Sequence, residues 1–316
     1  MKVFVQIPCF NEEATLALVL KSIPKKIKNV DELEILIIDD GSSDKTIEVA
    51  KKHGVKHFVI HNRNVGLARS FRDGVDYALK NGADIVVNTD GDNQYPQGRI
   101  ANLIQPIIDG TADIVIGDRQ TAKIAHFSPF KKLMQKFGSW IVSKAAGAKL
   151  PDAASGFRAY SRDSLTKINI ITQFSYCMET IIQAGNKRLK IASITIETNG
   201  KTRESRLFKN TWQHMAKSGK AIMRSYIMYK PYVIFITLGI TFFLVGIIPF
   251  VRYAIFFFVG AGNGHLQSLI FGSSMLVGSL LSFALMVISD LLRINRILLE
   301  DQLERIKEIQ IKSEQK

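Results

Sequence analysis

Residues 1–118 alternate short apolar runs with longer segments in which apolar residues recur every three or four positions. The runs KVFVQIP (2–8), LEILIID (33–39), KHFVI (56–60), DIVVN (84–88) and DIVIG (113–117) predict strands. The intervening stretches near 12–23, 44–53, 65–80 and 97–109 predict helices. Strands this apolar are buried on both faces, and the strand–helix–strand rhythm makes them neighbours in a parallel sheet. The expected fold is α/β: a Rossmann-like, mainly parallel sheet with helices on both faces. In such sheets ligands gather at the carboxyl ends of the strands.

Beyond this core the rhythm loosens. Residues 121–150 are basic, carry Gly and Pro, and contain a helical stretch near 130–146. SGFRAYS (155–161) predicts a strand, FSYCMETIIQAG (174–185) a helix and RLKIASITIET (188–198) a last strand. At 231 the character changes. Residues 231–251 and 253–289 hold no Asp, Glu, Lys or Arg, and only Arg252 interrupts them. About 20 apolar residues cross a bilayer as a helix, so the pattern predicts a two-helix transmembrane hairpin with spans near 232–251 and 267–289. The expected organisation is an α/β domain over 1–206, a basic amphipathic interfacial region over 207–230, the hairpin over 231–289 and an amphipathic tail helix over 290–316.

Charge sharpens this picture. The formal net charge is +14, and Lys201 to Lys230 alone carries eight Lys/Arg against one acid, Glu204. A basic block abutting apolar sequence points to a membrane surface, and no nucleic-acid-binding signature is present. The positive-inside rule places the α/β domain and both termini in the cytoplasm and the Arg252–His265 connection outside. The opening MKVFVQIPCFNEE reaches acids too soon for a signal peptide. Cys9 and Cys177 read as free thiols of a reducing compartment. The six histidines lack paired metal-ligand spacing, and Gly260, Gly262 and Gly264 lack the strand-to-helix context of a nucleotide loop.

The candidate chemistry lies in NTDGDNQYP (88–96), where Asp90, Asp92 and Gln94 fall on alternate positions just after a strand. Oxygen ligands in that pattern suit a hard cation, Mg²⁺ or Mn²⁺. Three are too few for a closed cage but suit a metal that arrives with a diphosphate. IPCFNEE (7–13) and IIDDGSSDKT (37–46) place Glu12, Asp39 and Asp40 at the same sheet edge. Singly these are turn or capping residues; together they can accept hydrogen bonds from a base or a ribose.

In this order, IPCFNEE, IIDDGSSDKT, NTDGDNQYP, IGDR and SGFRAYSR resemble the family 2 glycosyltransferases of the GT-A fold. Across 1–206 the chain is similar to those that load a sugar onto a polyprenyl or dolichyl phosphate, the dolichol-phosphate mannosyltransferase type. MYKP, GNGHLQSLI and DLLRINR in the tail resemble its archaeal branch. The resemblance implies that Pro8, Phe10, Glu12, Ile38, Asp39, Asp40, Asp90 and Gly91 hold the nucleotide. It implies that Asp90, Asp92 and Gln94 hold the metal, that Arg119 reaches phosphate at the reaction centre, and that Asp152 orients the acceptor. Lys131, Lys132, Arg203 and Arg206 are the candidates for the acceptor phosphate. Phe10 stands where the family more often has Tyr, and Arg203 where a glycine usually precedes the serine. Arg158 reads as structural, pairing with a sheet-edge acid.

The implied reaction is inverting, metal-dependent transfer of a hexose from a UDP- or GDP-linked sugar to a polyprenyl or dolichyl phosphate at the cytoplasmic membrane face. Two alternatives are a membrane-anchored inactive scaffold and a processive polysaccharide synthase. Intact Asp90, Asp92, Gln94 and Arg119 argue against the first. The second predicts a glutamine-x-x-arginine-tryptophan motif, and neither Trp140 nor Trp212 follows an arginine.

Overall fold

The computed structural model describes residues 1–121, 129–148, 150–170, 176–200, 230–259 and 266–314, with the single positions 219 and 223. All seven apolar runs form strands: β1 (Lys2–Cys9), β2 (Glu32–Asp39), β3 (His57–Ile60), β4 (Ile85–Asn88), β5 (Ile114–Asp118), β6 (Arg158–Ser161) and β7 (Ile191–Thr195). They make one sheet in the order β3-β2-β1-β4-β6-β5-β7. Only β6 runs against its neighbours β4 and β5; the other pairings are parallel.

The intervening segments form α1 (Leu16–Ser22), α2 (Thr46–Lys52), α3 (Leu67–Lys80), α4 (Ile100–Ile108), α5 (Pro129–Ala146), α6 (Arg162–Lys167) and α7 (Tyr176–Asn186). Beneath α1 and α4 lies a core built from Val3, Val5, Ile7, Leu16, Val19, Ile37, Val87, Leu103, Ile104, Val115 and Phe157. α1 begins four residues later than the sequence pattern predicts. The intervening residues belong to a turn instead, with Asn11 in the left-handed region at φ 57°, a conformation that asparagine tolerates better than most residues.

Antiparallel β6 matters most for the site. Its first residue, Arg158, pairs with Asn88, the last residue of β4. The loop that precedes β6 therefore arrives at the edge where β1, β2, β4 and β5 end. Periodicity predicts β6 as a strand but carries no sign of its direction.

The chain divides into two compact units, Met1–Ser225 with Asp301–Lys316, and Tyr226–Glu300. The second contains α8 (Pro231–Phe258) and most of α9 (Leu266–Glu314). Both helices are long and apolar enough to cross a membrane. α8 runs through Arg252 rather than stopping at 251, and the expected tail helix is the continuation of α9. Small residues let the two helices approach closely. A Cβ on Gly272 would lie 2.9 Å from the Gly246 carbonyl, and one on Gly246 would lie 3.1 Å from that of Gly272. The Ser279 hydroxyl donates to the Gly239 carbonyl at 2.8 Å.

The last turns of α9 belong to the first unit. Lys307 Nζ donates to the Ile168 carbonyl at 3.1 Å, Glu304 lies 3.7 Å from Lys187 at the end of α7, and Ile311 is buried. Residues 304–311 of α9 thus pack within the first unit.

Candidate active site

The site is assembled from turns at the carboxyl edge of the sheet. The turns after β1 and β2 are stitched together: Asn11 N–H donates to Ser42 Oγ at 2.9 Å, Ser43 N–H to Asn11 Oδ1 at 2.8 Å, and Glu12 N–H to Thr46 Oγ1 at 2.8 Å. Glu12 is buried, and the Thr15 hydroxyl sits 2.8 Å from both its Oε2 and the Gly91 carbonyl. This ties the β1 turn to the loop that follows β4. Pro8 and Ile38 lie side by side in register, and the Phe10 ring is exposed at the edge.

Asp39 and Asp40, adjacent in sequence, do different work. Asp40 accepts the Val65 and Gly66 N–H groups at 2.9 and 3.0 Å, and its Oδ1 lies 3.1 Å from His61 Nδ1. The other nitrogen of His61 lies 3.2 Å from Asp73 on α3. Asp40 thus anchors the loop into α3, and His61 bridges two carboxylates. Asp39 accepts the Ser42 N–H through Oδ2 at 3.2 Å, while its Oδ1 is buried with no hydrogen-bond partner among the described residues. A buried carboxylate oxygen left unsatisfied is costly, and an N–H donor from a bound base would satisfy it.

Asp90, Asp92 and Gln94 occupy the loop after β4 and are all partly exposed. Asp92 Oδ1 accepts the Gln94 N–H at 3.1 Å, which shapes the turn, and Asn93 takes φ 59°. Asn199 donates through its side chain to the Asn93 carbonyl and through its backbone to that of Gln94, both at 2.9 Å. Among the described residues no three His, Cys, Asp or Glu side chains converge as a metal cage. Two carboxylates and an amide fit a Mg²⁺ or Mn²⁺ whose other ligands come from phosphate and water.

Beneath this loop lies a buried polar web that periodicity alone does not reveal. Gln6 Nε2 donates to Asn88 Oδ1 at 3.0 Å. Asn88 Nδ2 donates to the Gly156 carbonyl at 2.9 Å and to the Tyr176 hydroxyl at 2.7 Å. Gly156 N–H donates to Tyr95 Oη at 2.9 Å. Burial raises the Tyr95 hydroxyl well above its usual range, so it stays protonated. Gly156 is therefore clamped at both its N–H and its C=O. A Cβ there would lie 3.3 Å from both Asp90 oxygens. A signal existed: Gln6 and Asn88 are polar residues in otherwise apolar strands, and they pair in register.

Arg119, just past the end of β5, is joined to Asp152 by a fork: Nε to Oδ2 at 2.6 Å and Nη2 to Oδ1 at 2.9 Å. Asp152 also accepts the Ala154 N–H at 3.2 Å. Burial pushes the Asp152 carboxyl up, but the charge and hydrogen bonds of Arg119 outweigh it and hold the group below the usual carboxylate range. So bound, Asp152 is a poor proton acceptor; it fixes the guanidinium, whose Nη1 edge lies outside the fork. Arg158 is fully buried, but its partners are the carbonyls of Ala153, Ser155 and Cys177 and the Thr180 hydroxyl, not the expected acid. It braces the loop carrying Asp152 and Gly156 against α7. Lys132 is half-buried on α5. The side chain of Lys131, and all of Arg203 and Arg206, lie outside the described residues.

Residues 4–168 match the family model described as Glycosyl transferase family 2. The chain belongs to that family. Among its relatives is a protein of Methanococcus voltae named UDP-N-acetylglucosamine–dolichyl-phosphate N-acetylglucosaminyltransferase, 29% identical over 217 residues, covering 62% of this chain and 85% of the relative. An undecaprenyl-phosphate mannosyltransferase of Micrococcus luteus is 28% identical over 176 residues, covering 54% and 70%. In structure the chain is similar to the glucosyl-3-phosphoglycerate synthase of Mycobacterium tuberculosis, solved with Mn²⁺, UDP and glucosyl-3-phosphoglycerate. The TM-score is 0.54 at 19% identity, over 72% of this chain and 78% of that one, and this supports the GT-A fold.

This glycosyltransferase yields two predictions from its geometry. Gly156→Ala places a methyl 3.3 Å from both Asp90 oxygens; stability should fall by about 1 kcal/mol, and transfer should fall at least ~10-fold because the Asp90 carboxylate must shift. Thermal denaturation and a transfer assay of the variant check this. Asp152→Asn leaves the Arg119 charge without its partner and should destabilise the fold by about 3 kcal/mol at neutral pH. Because the carboxyl is depressed in the folded state, its contribution is complete above the unfolded value of about 3.9 and fades as pH falls through the lower folded one. Denaturation of wild type and variant should accordingly converge in acid.

Proposed function

We propose that this glycosyltransferase moves a hexose from a UDP- or GDP-linked sugar to a polyprenyl or dolichyl phosphate at the cytoplasmic face of the membrane, inverting the anomeric centre. The observation that carries this reading is the gathering of Asp39 with its unpartnered buried oxygen, Asp90 against Gly156, and the Arg119 guanidinium at one sheet edge. The relatives named for dolichyl- and undecaprenyl-phosphate transfer support the acceptor class. Two helices apolar enough to span a bilayer support a membrane setting, and the basic residues Lys201 to Lys230 support a cytoplasmic face.

The roles follow from charge and position. Asp39 accepts an N–H of the base, while Pro8, Phe10, Glu12, Ile38 and Gly91 shape the nucleotide pocket. Asp40 serves that pocket indirectly, by anchoring the loop into α3. Asp90, Asp92 and Gln94 would hold Mg²⁺ or Mn²⁺, which neutralises charge on the departing diphosphate when bound. Arg119, held by Asp152, adds a fixed positive charge where negative charge develops. An acceptor phosphate monoester has a second pKa of about 6 and is largely dianionic at neutral pH. Attack by such a group needs no strong base, which accords with an Asp152 kept ionised by Arg119. What the acceptor needs is cationic positioning, for which Lys131, Lys132, Arg203 and Arg206 are the candidates.

Purified full-length chain, incubated with Mn²⁺, dolichyl phosphate and a panel of labelled nucleotide sugars, should give lipid-linked label with one of them. Asp92→Ala should lower that transfer by about 10²–10³-fold, the scale of losing one preorganised charge stabiliser, with the fold intact by circular dichroism. Nucleotide binding without transfer from any donor would contradict the enzyme reading. Full activity in Asp92→Ala would remove that residue from the metal site.

A further inference from the structure

α5 has two unlike faces. Successive residues advance by about 100° around a helix, so Ser139, Val142, Ala145 and Ala146 fall on one side, and all four are buried. That side faces α7, where the Gly185 backbone fits so closely against Ala146 that a Cβ would overlap its carbonyl. Leu133, Phe137 and Trp140, spaced i, i+4, i+7, share the opposite side and are 64%, 52% and 57% exposed. The Phe137 and Trp140 rings stack with centroids 6.1 Å apart. Lys144 extends over the Trp140 ring, its Nζ 5.4 Å from the centroid. The helix carries Lys131, Lys132, Lys136 and Lys144 and no acid between Pro129 and Ala146.

A row of three large apolar side chains facing water is unusual on a soluble domain. Its lysine border narrows the choice of what covers it. The cores of protein–protein interfaces are depleted in lysine. A Trp/Phe/Leu face bordered by lysines and free of acids is instead the composition of a helix lying in the headgroup region of a bilayer. Lysine stems there extend along the apolar side chains while the ammonium groups reach anionic lipid. The chain also carries its own membrane-spanning candidates in α8 and α9.

We propose that the Leu133–Phe137–Trp140 face of α5 is a membrane-contact surface of the catalytic unit that rests in the boundary layer of an anionic bilayer, with Lys136 and Lys144 meeting the headgroups. This contact is distinct from the spanning helices and from the basic Lys201–Lys230 block. It does not depend on which donor or acceptor the enzyme uses.

The test uses the full chain with Trp212→Phe, so that Trp140 is the sole tryptophan, reconstituted in vesicles of phosphatidylcholine and phosphatidylglycerol. Lipids brominated near the headgroup end of the acyl chain should quench Trp140 emission about twofold or more, and the bilayer should shield it from acrylamide. Lys136→Glu with Lys144→Glu should reverse most of that quenching. The difference in emission between wild type and Trp140→Phe gives the same readout without altering Trp212. Unchanged emission with brominated lipid and full access to acrylamide would overturn the proposal. Shielding from acrylamide without bromolipid quenching would overturn it too, because the face would then be covered by protein, either a second copy or another partner. The readout is fluorescence, so its failure is separable from any failure of the transferase reading.

Discussion

The Asn88 side chain is the constraint on which the site depends. From the last position of β4 it holds both the Gly156 carbonyl and the Tyr176 hydroxyl, and it is itself held by Gln6. Every member of this web is buried, and each buried group left unpaired costs about 1–3 kcal/mol. Losing one bond therefore exposes the others to the same penalty. The clamp fixes the loop before β6 against the loop after β4, so that backbone without a side chain faces Asp90. Stacking of Phe71 on Tyr176 at 3.9 Å, and of Tyr95 on Phe157 at 5.3 Å, holds the aromatic ends of the web in place.

Around that fixed point the charges divide into supports and candidates for ligand contact. Asp40, Asp152, His61 and Arg158 are engaged with protein groups and give the loops their shape. Asp39 retains a buried oxygen with no partner among the described residues, and Asp90 and Asp92 remain partly exposed. Under the proposed function, a site that binds a diphosphate and releases it gains from this separation. The supporting groups spend their hydrogen bonds on the protein itself, and the partly exposed carboxylates lie where a divalent cation would sit.

The strands were legible because apolar runs of four to eight residues bounded by turns admit few other readings, and DGD, IIDD and IPCFNEE stand at strand ends in plain view. The direction of β6 was not legible, since period-two alternation is the same in both directions. Without it, Gly156 has no reason to approach Asp90, and the Asn88 clamp cannot be inferred. Arg119 and Asp152 were singled out separately, but their fork joins residues 33 apart in sequence and depends on that same strand. Phe137 and Trp140 are visible as helical neighbours, yet only burial of the opposite face shows that their side looks outward. Arg158 was read as structural, but fully buried arginine more commonly meets an acid than four carbonyl and hydroxyl oxygens.

A structure of the full chain with Mn²⁺ and the nucleoside diphosphate of its donor, using anomalous scattering to locate the metal, tests the central claim most directly. The account predicts a manganese peak bridging the Asp90–Asp92 loop to the diphosphate, Gly156 unmoved beside it, and a base N–H within hydrogen-bond distance of Asp39 Oδ1. A diphosphate bound away from that loop, with Asp39 Oδ1 still lacking a donor, would contradict it.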